Sequence, residues 1–494
     1  MATRNKMNRR KFVKTTMVAA AATAIVPSLP AFSWQQAPMK RVLGKTGFQV
    51  TTFGLGGQAS LQWTPADVDP VKIILMAFDR GVNYYDTSNL YGPSQANYGK
   101  AFRELKLIPG DPGYNETLRK SIFLTTKTHL RTAKGDSNIQ GVTNWTEGAS
   151  GSHTVDDIHR SLSQMFGDGK GNYPDGAYLD MMLFHNLNTK EEVDAIYEGI
   201  EGTNPSMERI GALAALRDYR DGTNLTGLNS KNEKLIRHIG FSGHYDAAVN
   251  MYMIQRDTTN LLDAMLVAIN ANDKLMFNMQ NNVIPLAKAK NMGVIGMKVF
   301  ADGAMYTKPA EWSNSVGHVV RTIGDKNLPS KMLIQYALTT PGVDLVIIGI
   351  GQISDKFEDC QLCNNFQAAQ IMPDGLTEDQ RTEIEQMAAK VKGGKTNYFQ
   401  KQAVALVPPQ KVNVSKLNAN KVVLEWHTAL AGSAALKAYE IWRDGNRITS
   451  IPFSPQLTTE PFKLTVATDK KTHSYIVKII DADGREAASG NVVA

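Results

Sequence analysis

Residues 82–92 read "VNYYDTSNLYG": an apolar, aromatic run ends in Asp86, and Tyr91 and a glycine follow. The run favours a buried strand, and the polar residues after it favour a loop. A single acidic residue at a strand end is more often a helix cap than a catalytic group. The role of Asp86 therefore depends on how the other strands of the chain end.

Seven further runs have the same buried, strand-like character, and helical patterns stopped by glycine or proline lie between them. Nearly continuous apolar runs suit strands covered on both faces of a parallel sheet. Eight β/α units predict a (β/α)8 TIM barrel over residues 39–395. An open, doubly wound sheet is the alternative, although no G-x-G-x-x-G motif opens a helix after the first strand. The predicted strands are residues 52–57, 82–87, 121–127, 178–185, 236–243, 264–270, 294–300 and 345–351.

The sequence changes character after the predicted barrel. Residues 396–410 predict a linker, and residues 411–494 alternate short apolar strands with turn signals. This pattern predicts a small all-β, immunoglobulin-like sandwich. The stretches "LEW", "YEIWRDG" and "YIVKIIDADG" resemble a fibronectin type III module, which implies a fold but no catalysis. The sandwich is a candidate surface for a glycan or protein contact.

The N-terminal segment carries most of the net charge. The chain of 494 residues has a formal charge of +7, and residues 1–33 contain six basic and no acidic residues, which leaves +1 for the rest. The nearly neutral charge of the rest of the chain therefore gives no indication of nucleic-acid binding. Arg9 and Arg10 before an apolar run of modest length predict a twin-arginine signal peptide, and hence an exported, periplasmic protein without a lasting membrane anchor. A retained basic amphipathic N-terminus is the alternative.

Cys360 and Cys363, in "EDCQLCNNF", are the only cysteines of the chain. Their C-x-x-C spacing occurs in redox pairs and in halves of metal sites. Because no further cysteine is available, a zinc site or a cluster lacks ligands, and we expect no metal. The favoured interpretation is two ordinary helix cysteines, with a disulfide as the alternative.

Residues 132–153, between the third and fourth predicted strands, are rich in Gly, Ser, Thr and Asn. Such a long, polar connection fits a loop over the mouth of a barrel. A lid that contacts substrate and a passive surface insertion are both compatible with this composition. The sequence leaves these two alternatives open.

Polar residues stand where the second, third and fourth predicted strands end: Asp86, Lys127 and His185. Alone, Lys127 is typical of a surface lysine and His185 of a core histidine, but strand ends of a barrel meet at one mouth. There, an ammonium would lower the phenol pKa of Tyr91 from about 10, and an acid would keep that ammonium charged. A histidine would orient a carbonyl or assist proton transfer. The set predicts that Tyr91 donates a proton to an oxygen that becomes an alkoxide.

The contexts "YYDTSNLYG", "LTTKTH" and "LFHN" resemble the Asp, Tyr, Lys and His tetrad of the aldo-keto reductase family, and "MKRVLGKTGFQVTTFGLGG" is similar to the family's start. The resemblance covers residues 39–395. It implies an NAD(P)-dependent oxidoreductase that uses NADP, with NAD as the alternative. Hydride would pass between C4 of the nicotinamide and a carbonyl carbon, and Tyr91 would supply the proton.

The resemblance also implies cofactor contacts, with departures from the usual pattern. Gly243 stands where an asparagine is usual, Leu266 where a glutamine is usual, and Met297 where an aromatic ring stacks on the nicotinamide. Glycines and a helix start in "IIGIGQISDKF" offer a place for phosphate. The implied contacts are Gly56, Gly57, Ser242, Gly243, Asn270, Met297, Lys298, Gly349 and Gly351.

The predicted mouth loops, "NWTEGASGSH" and "FSGHYD", are polar, and His244 lies near the expected cofactor. This polarity favours a small hydroxylated or sugar-like carbonyl substrate. An exported enzyme of this kind would need to keep the nucleotide that it bound in the cytoplasm. The competing hypothesis is a non-catalytic exported protein that binds a ligand or glycan, but the complete tetrad favours an enzyme.

Overall fold

The computed structural model describes residues 37–146 and 153–494, and each of the eight predicted strands forms within them. These strands pair in parallel and close into a barrel, because the last strand pairs with the first through Val346 and Phe53. The predicted (β/α)8 fold is confirmed. The barrel strands are β3 (Phe53–Leu55), β4 (Tyr84–Asp86), β5 (Phe123–Thr128), β7 (Leu179–Phe184), β9 (Ile236–Gly243), β10 (Ala264–Ala268), β11 (Gly293–Met297) and β12 (Leu345–Ile348).

Helices follow the barrel strands along the chain. Side chains of Asp69, Thr189 and Asp246 accept hydrogen bonds from amides of the first turns of three of them, which stabilises their N-termini. The helices are α1 (Pro70–Asp79), α2 (Ser94–Glu104), α3 (Glu116–Lys120), α4 (Thr154–Phe166), α5 (Lys190–Tyr197), α6 (Ala212–Asp221), α7 (Ala247–Arg256), α8 (Met279–Ala289), α9 (Ser330–Thr339), α10 (Gln361–Ala368) and α11 (Glu378–Lys390).

A hairpin of β1 (Lys40–Val42) and β2 (Gln49–Thr51) precedes the barrel, and its Leu43 and Val50 belong to the buried cluster inside the barrel. A second small antiparallel pair, β6 (Thr132–Lys134) with β8 (Ile210–Gly211), lies outside the barrel sheet. The cluster extends to Leu266 and Met297, near the strand ends, so the barrel is filled with side chains. Function must therefore lie at an end of the barrel.

The C-terminal residues form a small all-β domain of antiparallel sheets, as predicted. Alternate residues of its central strand are buried, among them Tyr475, Val477 and Ile479, and these pack with Trp426 and Tyr439 in one core. The strands are β13 (Gln410–Asn418), β14 (Lys421–His427), β15 (Leu436–Arg443), β16 (Asn446–Pro452), β17 (Phe462–Ala467), β18 (Ser474–Asp481), β19 (Glu486–Ala488) and β20 (Val492–Val493).

Residues 396–402, the first part of the predicted linker, pack on the mouth of the barrel. The Asn397 amide donates to Asn270 Oδ1 at 3.1 Å, and the Gln400 amide donates to Asp273 Oδ1 at 2.6 Å. The Phe399 side chain is only 3% exposed. These contacts place the start of the connection to the sandwich beside the strand ends where the tetrad is expected.

Cys360 and Cys363 are joined in a disulfide, so the favoured prediction of two ordinary helix cysteines is wrong. Cys360 is the residue that caps α10, and Cys363 lies in the first turn of that helix. The C-x-x-C spacing at a helix start brings their Cα atoms to 5.2 Å, within the range that a disulfide spans.

Two predictions fall wholly or partly outside the described residues. The signal peptide of residues 1–33 lies in the N-terminal segment that the structure does not describe. Residues 147–152 of the predicted mouth loop are also outside it, while Trp145 at its edge is 60% exposed. Within residues 37–146 and 153–494, no helix has the length and apolarity needed to cross a bilayer.

Candidate active site

The end of β4 and the end of β5 bring Asp86 and Lys127 together at the mouth of the barrel. Lys127 Nζ lies 2.5 Å from Asp86 Oδ1 and also donates to the Thr87 carbonyl at 2.8 Å. Both side chains are 1% exposed. Burial raises the pKa of the Asp86 carboxyl, and Lys127 opposes this shift. Burial lowers the pKa of the Lys127 ammonium, and Asp86 opposes that shift.

Tyr91 and His185 complete the group. The Tyr91 hydroxyl lies 3.5 Å from His185 Nε2, and Lys127 Nζ is 4.7 Å from the centre of the Tyr91 ring. The other histidine nitrogen, Nδ1, lies 3.1 Å from Ser88 Oγ. Burial and the nearby Lys127 ammonium hold the pKa of His185 well below its usual range, so the ring is neutral. The four residues singled out in the sequence therefore form one cluster.

The protonation of Tyr91 differs from the sequence-based prediction. Burial, with Asp86 and Asp302 nearby, raises the pKa of the Tyr91 phenol well above its usual value of about 10. We had expected Lys127 to lower this pKa, but the desolvated phenol and two carboxylates outweigh one ammonium. Tyr91 is therefore a neutral hydroxyl in the resting site, suited to donate a proton.

A cavity that is open to solvent lies beside this cluster, and we call it the mouth cavity. Asp86, Tyr91 and His244 line it, and Leu266, Met297 and Ile347 supply apolar side chains. Four other predicted cofactor contacts also line it: Gly56, Gly57, Lys298 and Gly349. A side chain at position 57 would come within 2.5 Å of the Asp86 carbonyl oxygen, so glycine is required there. The mouth cavity therefore offers a ligand site next to Tyr91, with both polar and apolar side chains in its wall.

The remaining predicted contacts are engaged with protein. The Ser242 hydroxyl accepts from the Asn186 amide at 2.9 Å, and the Asn270 side chain donates to the Lys298 carbonyl at 3.0 Å. A side chain at position 243 would meet Asn250 of α7 at 1.9 Å. Gly351 donates its amide to Gln361 Oε1 at 2.6 Å. Five of the predicted contacts line the mouth cavity, whereas Ser242, Gly243, Asn270 and Gly351 are not among its lining residues.

A family model described as the Aldo/keto reductase family matches residues 52–388. This protein belongs to that family. Membership makes the chain an oxidoreductase of the aldo-keto reductase type. It is 22% identical over 367 residues to L-galactose dehydrogenase of Arabidopsis thaliana, covering 71% of this chain and 95% of the relative. It is 24% identical over 263 residues to D-arabinose 1-dehydrogenase of Saccharomyces cerevisiae, covering 51% of this chain and 62% of the relative.

Solved structures of other aldo-keto reductases are also similar. A Klebsiella pneumoniae aldo-keto reductase in complex with NADP and acetate is 16% identical, with 71% of this chain and 95% of that chain covered and a TM-score of 0.41. The holo form of a Bacillus halodurans aldo-keto reductase is 19% identical, with 71% and 96% covered and a TM-score of 0.41.

In this aldo/keto reductase, residues 298–329 connect β11 to α9, and we call this segment the β11 loop. Its start is tightly folded, since Lys298, Ala301 and Asp302 all have a positive φ. Lys298 Nζ lies 2.8 Å from Asp302 Oδ1, and the Tyr398 hydroxyl donates to Asp302 Oδ2 at 2.9 Å. Burial alone would raise the pKa of Asp302, but Lys298 and Lys308 hold it below its usual range.

The far part of the β11 loop borders the mouth cavity. Val319 and Val320 line the cavity, and Arg321 pairs with Asp67, whose Oδ2 lies 2.6 Å from Arg321 Nη2. This ion pair joins the β11 loop to the segment between β3 and α1. The β11 loop thus passes beside the mouth cavity. It is attached to Tyr398 through Asp302 and to Asp67 through Arg321.

Sequence reasoning missed three contributors to the site: Ser88, Asp302 and Gln361. Ser88 contacts His185, Asp302 joins the β11 loop to residue 398, and Gln361 lines the mouth cavity. The "DTSN" and "FADG" stretches carry loop-forming residues that could have drawn attention to the first two. Nothing in the local sequence indicates the contacts of Gln361, because its partners lie in distant segments.

Proposed function

We propose that this aldo/keto reductase interconverts the carbonyl and alcohol forms of a small hydroxylated or sugar-like substrate, with NADP as the cofactor. The observation that carries the proposal is the cluster of Asp86, Lys127, Tyr91 and His185, of which Asp86 and Tyr91 line the mouth cavity. The names of two relatives, L-galactose dehydrogenase and D-arabinose 1-dehydrogenase, support a sugar-like substrate. The NADP complex of the Klebsiella relative supports the choice of cofactor.

The mouth cavity fits a nicotinamide nucleotide. Its apolar residues, Leu266, Met297 and Ile347, offer a surface for a flat ring, and a methionine can pack on such a ring. Glycines at positions 56, 57 and 349 allow the backbone to approach the ligand closely. Lys298 supplies a cation at the cavity wall. These residues would hold the cofactor, which, when bound, supplies or accepts hydride at the substrate carbon.

The chain's own residues manage the proton. Tyr91 is neutral and can donate its hydroxyl proton to the substrate oxygen during reduction. The phenolate that forms would be stabilised by Lys127, whose ammonium lies 4.7 Å from the ring centre. If the Ser88 hydroxyl donates to His185 Nδ1, the neutral imidazole carries its proton on Nε2, which faces the Tyr91 hydroxyl. His185 can therefore orient the substrate oxygen.

Replacing Tyr91 with Phe tests this function. We expect NADPH binding to be retained and kcat for carbonyl reduction to fall about 100-fold to 10,000-fold, the contribution usual for a positioned acid. NADPH consumption with a panel of aldoses, ketoses and simple aldehydes measures this. Tyr114→Phe, outside the site, is the matched control. Unchanged turnover in Tyr91→Phe would contradict the proposal, and wild-type protein that binds NADPH but turns over no compound would favour the non-catalytic alternative.

We further propose that the protein is exported folded, with its nucleotide retained, and that its sandwich is a fibronectin type III-like module that contacts a glycan or protein. The twin-arginine-type sequence of residues 1–33 supports export. Nicotinamide nucleotides are cytoplasmic metabolites, so an exported enzyme that released one at each turnover would stall. Protein recovered from the periplasm should contain NADP(H) in stoichiometric amount. Its absence from that fraction, or recovery without nucleotide, would refute this part.

A further inference from the structure

The disulfide between Cys360 and Cys363 lies beside the mouth cavity, at the start of α10. Cys360 is the capping residue of the helix and Cys363 closes its first turn, so the bridge spans Gln361. Both cysteines are buried, with exposures of 0% and 2%. The position of the Gln361 side chain therefore depends on the turn that the disulfide closes.

Gln361 connects two separate walls of the mouth cavity. Its Oε1 accepts from the Gly351 amide at 2.6 Å, just after β12. Its Nε2 donates to the Val320 carbonyl at 3.3 Å and to the Thr322 carbonyl at 3.1 Å, both in the β11 loop. Gln361 also lines the cavity itself. We call this set of hydrogen bonds the Gln361 bridge.

The Gln361 bridge holds the part of the β11 loop that borders the cavity. Val320 packs so closely on the segment after β12 that a side chain at Gly351 would come within 2.2 Å of the Val320 carbonyl oxygen. On the other side, Arg321 of the same loop pairs with Asp67. The Arg321–Asp67 pair is exposed, and such pairs contribute little. The Gln361 bridge, together with the hydrogen bond from Arg321 Nε to Gln352 Oε1 at 3.1 Å, therefore attaches this part of the loop to the segment after β12.

We propose that Cys360–Cys363 is a redox site that controls how tightly the nucleotide is held in the mouth cavity. This inference rests on the proposed function. In the disulfide form the first turn of α10 is closed, and the Gln361 bridge holds the β11 loop beside the cavity. A dithiol reductant that gives two electrons and two protons converts the disulfide into two thiols and becomes a disulfide itself. The opened turn loosens the Gln361 bridge, and the nucleotide is bound more weakly.

A cation next to the Cys363 sulfur raises the rate of the reverse step. Arg80 Nη2 donates to Cys363 Sγ at 3.2 Å. A neighbouring guanidinium stabilises a thiolate, and the thiolate is the form that re-forms a disulfide by exchange with an oxidant. Because both sulfur atoms are buried, reduction requires the first turn of α10 to open. Opening of that turn and release of the β11 loop would thus occur together, because the Gln361 bridge connects them.

The test compares NADPH affinity of the intact wild-type protein in its oxidised form and after reduction with dithiothreitol without oxygen. We expect the Kd for NADPH to rise between about 5-fold and 150-fold on reduction, the usual range for coupling between two sites. The variant Cys360→Ser/Cys363→Ser should bind as weakly as the reduced protein and be indifferent to dithiothreitol. The matched variant Gln361→Leu should bind weakly in both redox states.

NADPH binding and the disulfide–dithiol equilibrium are thermodynamically linked, which allows a second measurement. This measurement uses only the wild-type protein, so it does not depend on the folding of a variant. Saturating NADPH should shift the disulfide–dithiol equilibrium in a dithiothreitol redox buffer toward the disulfide by the same factor as the two Kd values differ. Thiol alkylation followed by mass spectrometry reads the ratio. Equal Kd values in both redox states, with no shift of this equilibrium, would overturn the redox site alone. Failure to bind NADPH in either state would overturn the proposed function as well.

Discussion

At the scale of single residues, the site depends on charge that is buried and paired. Asp86 and Lys127 are each 1% exposed and lie 2.5 Å apart. Ions lose most of their hydration when buried, so each member is tolerated only because the other is present. The same desolvation keeps the Tyr91 phenol protonated. Pairing thus opposes the effect of burial on the charges of Asp86 and Lys127, whereas burial itself keeps the Tyr91 hydroxyl neutral.

Replacing Lys127 with Met should therefore lower both stability and activity. The variant leaves the Asp86 carboxylate buried without its partner, which costs about 3–5 kcal/mol of unfolding free energy at neutral pH. It also removes the cation that would stabilise the Tyr91 phenolate. Chemical denaturation and carbonyl reduction assays measure the two effects.

A double variant separates these two effects. Asp86→Asn combined with Lys127→Met removes both charges, so most of the lost stability should return while activity stays low. Lys120→Met, which breaks the exposed pair with Glu116, is the matched control and should have a much smaller effect. If the double variant were as unstable as Lys127→Met alone, the lost stability would not come from an unpaired charge.

At the scale of elements, the barrel strands bring the tetrad residues to the mouth by their position, and residues of the β11 loop form part of the cavity wall. Asp86 is the last residue of β4, and His185 follows β7 directly. The β11 loop instead begins with positive φ at Lys298, Ala301 and Asp302, conformations that cost energy for residues with side chains. The buried ion pairs of Asp302 compensate for this cost.

Replacing Asp302 with Asn tests the role of the ion pairs. The change leaves Lys298 and Lys308 buried without a carboxylate, so we expect a loss of about 3 kcal/mol in unfolding free energy and weaker NADPH binding. Thermal denaturation and fluorescence titration measure these two quantities. Asp374→Asn, on an exposed turn, is the matched control. Unchanged NADPH affinity in Asp302→Asn would mean that the start of the β11 loop does not shape the nucleotide site.

At the scale of the whole molecule, the sandwich is docked on the barrel through buried hydrogen bonds. The Asn282 amide donates to the Ala431 carbonyl at 3.2 Å, and Asn282 Oδ1 accepts from the Ala431 amide at 2.8 Å. The Asn278 amide donates to the Gly432 carbonyl at 2.6 Å. Residues 396–402 also pack on the mouth, so the chain contacts the barrel both there and at the sandwich.

Replacing Asn282 with Ala should weaken this docking. The variant leaves a buried amide and a buried carbonyl of residue 431 without partners, which costs about 2 kcal/mol. We expect faster proteolytic cleavage between residues 403 and 410. Asn281→Ala removes a single, exposed hydrogen bond to the Ser433 carbonyl and is the matched control. Equal cleavage rates in both variants would show that the Asn282 contacts do not hold the sandwich.

The sequence predicted the barrel and the tetrad because both depend on local pattern. Apolar runs and helical patterns repeat eight times, and Asp86, Lys127 and His185 interrupt those runs where they end. In a closed parallel barrel, strand ends must meet, so their positions along the chain were enough to place these residues together. The strand boundaries were predicted less accurately. Residues 56 and 57 lie outside β3, and position 57 approaches β4 so closely that it requires glycine.

Only the tertiary structure decided the features that depend on contacts between distant segments. The protonation of Tyr91 follows from how many carboxylates and how little water surround it, and neither can be read from the residue's neighbours in sequence. Asn270 contacts Asn397, and Gln361 contacts Val320. The partners are so far apart in the sequence that no local pattern predicts these contacts. The sequence by itself determined which chemical groups reach the mouth, since strand order fixes strand ends. The tertiary structure decided which of these groups are charged and how far they are shielded from water, since both depend on burial.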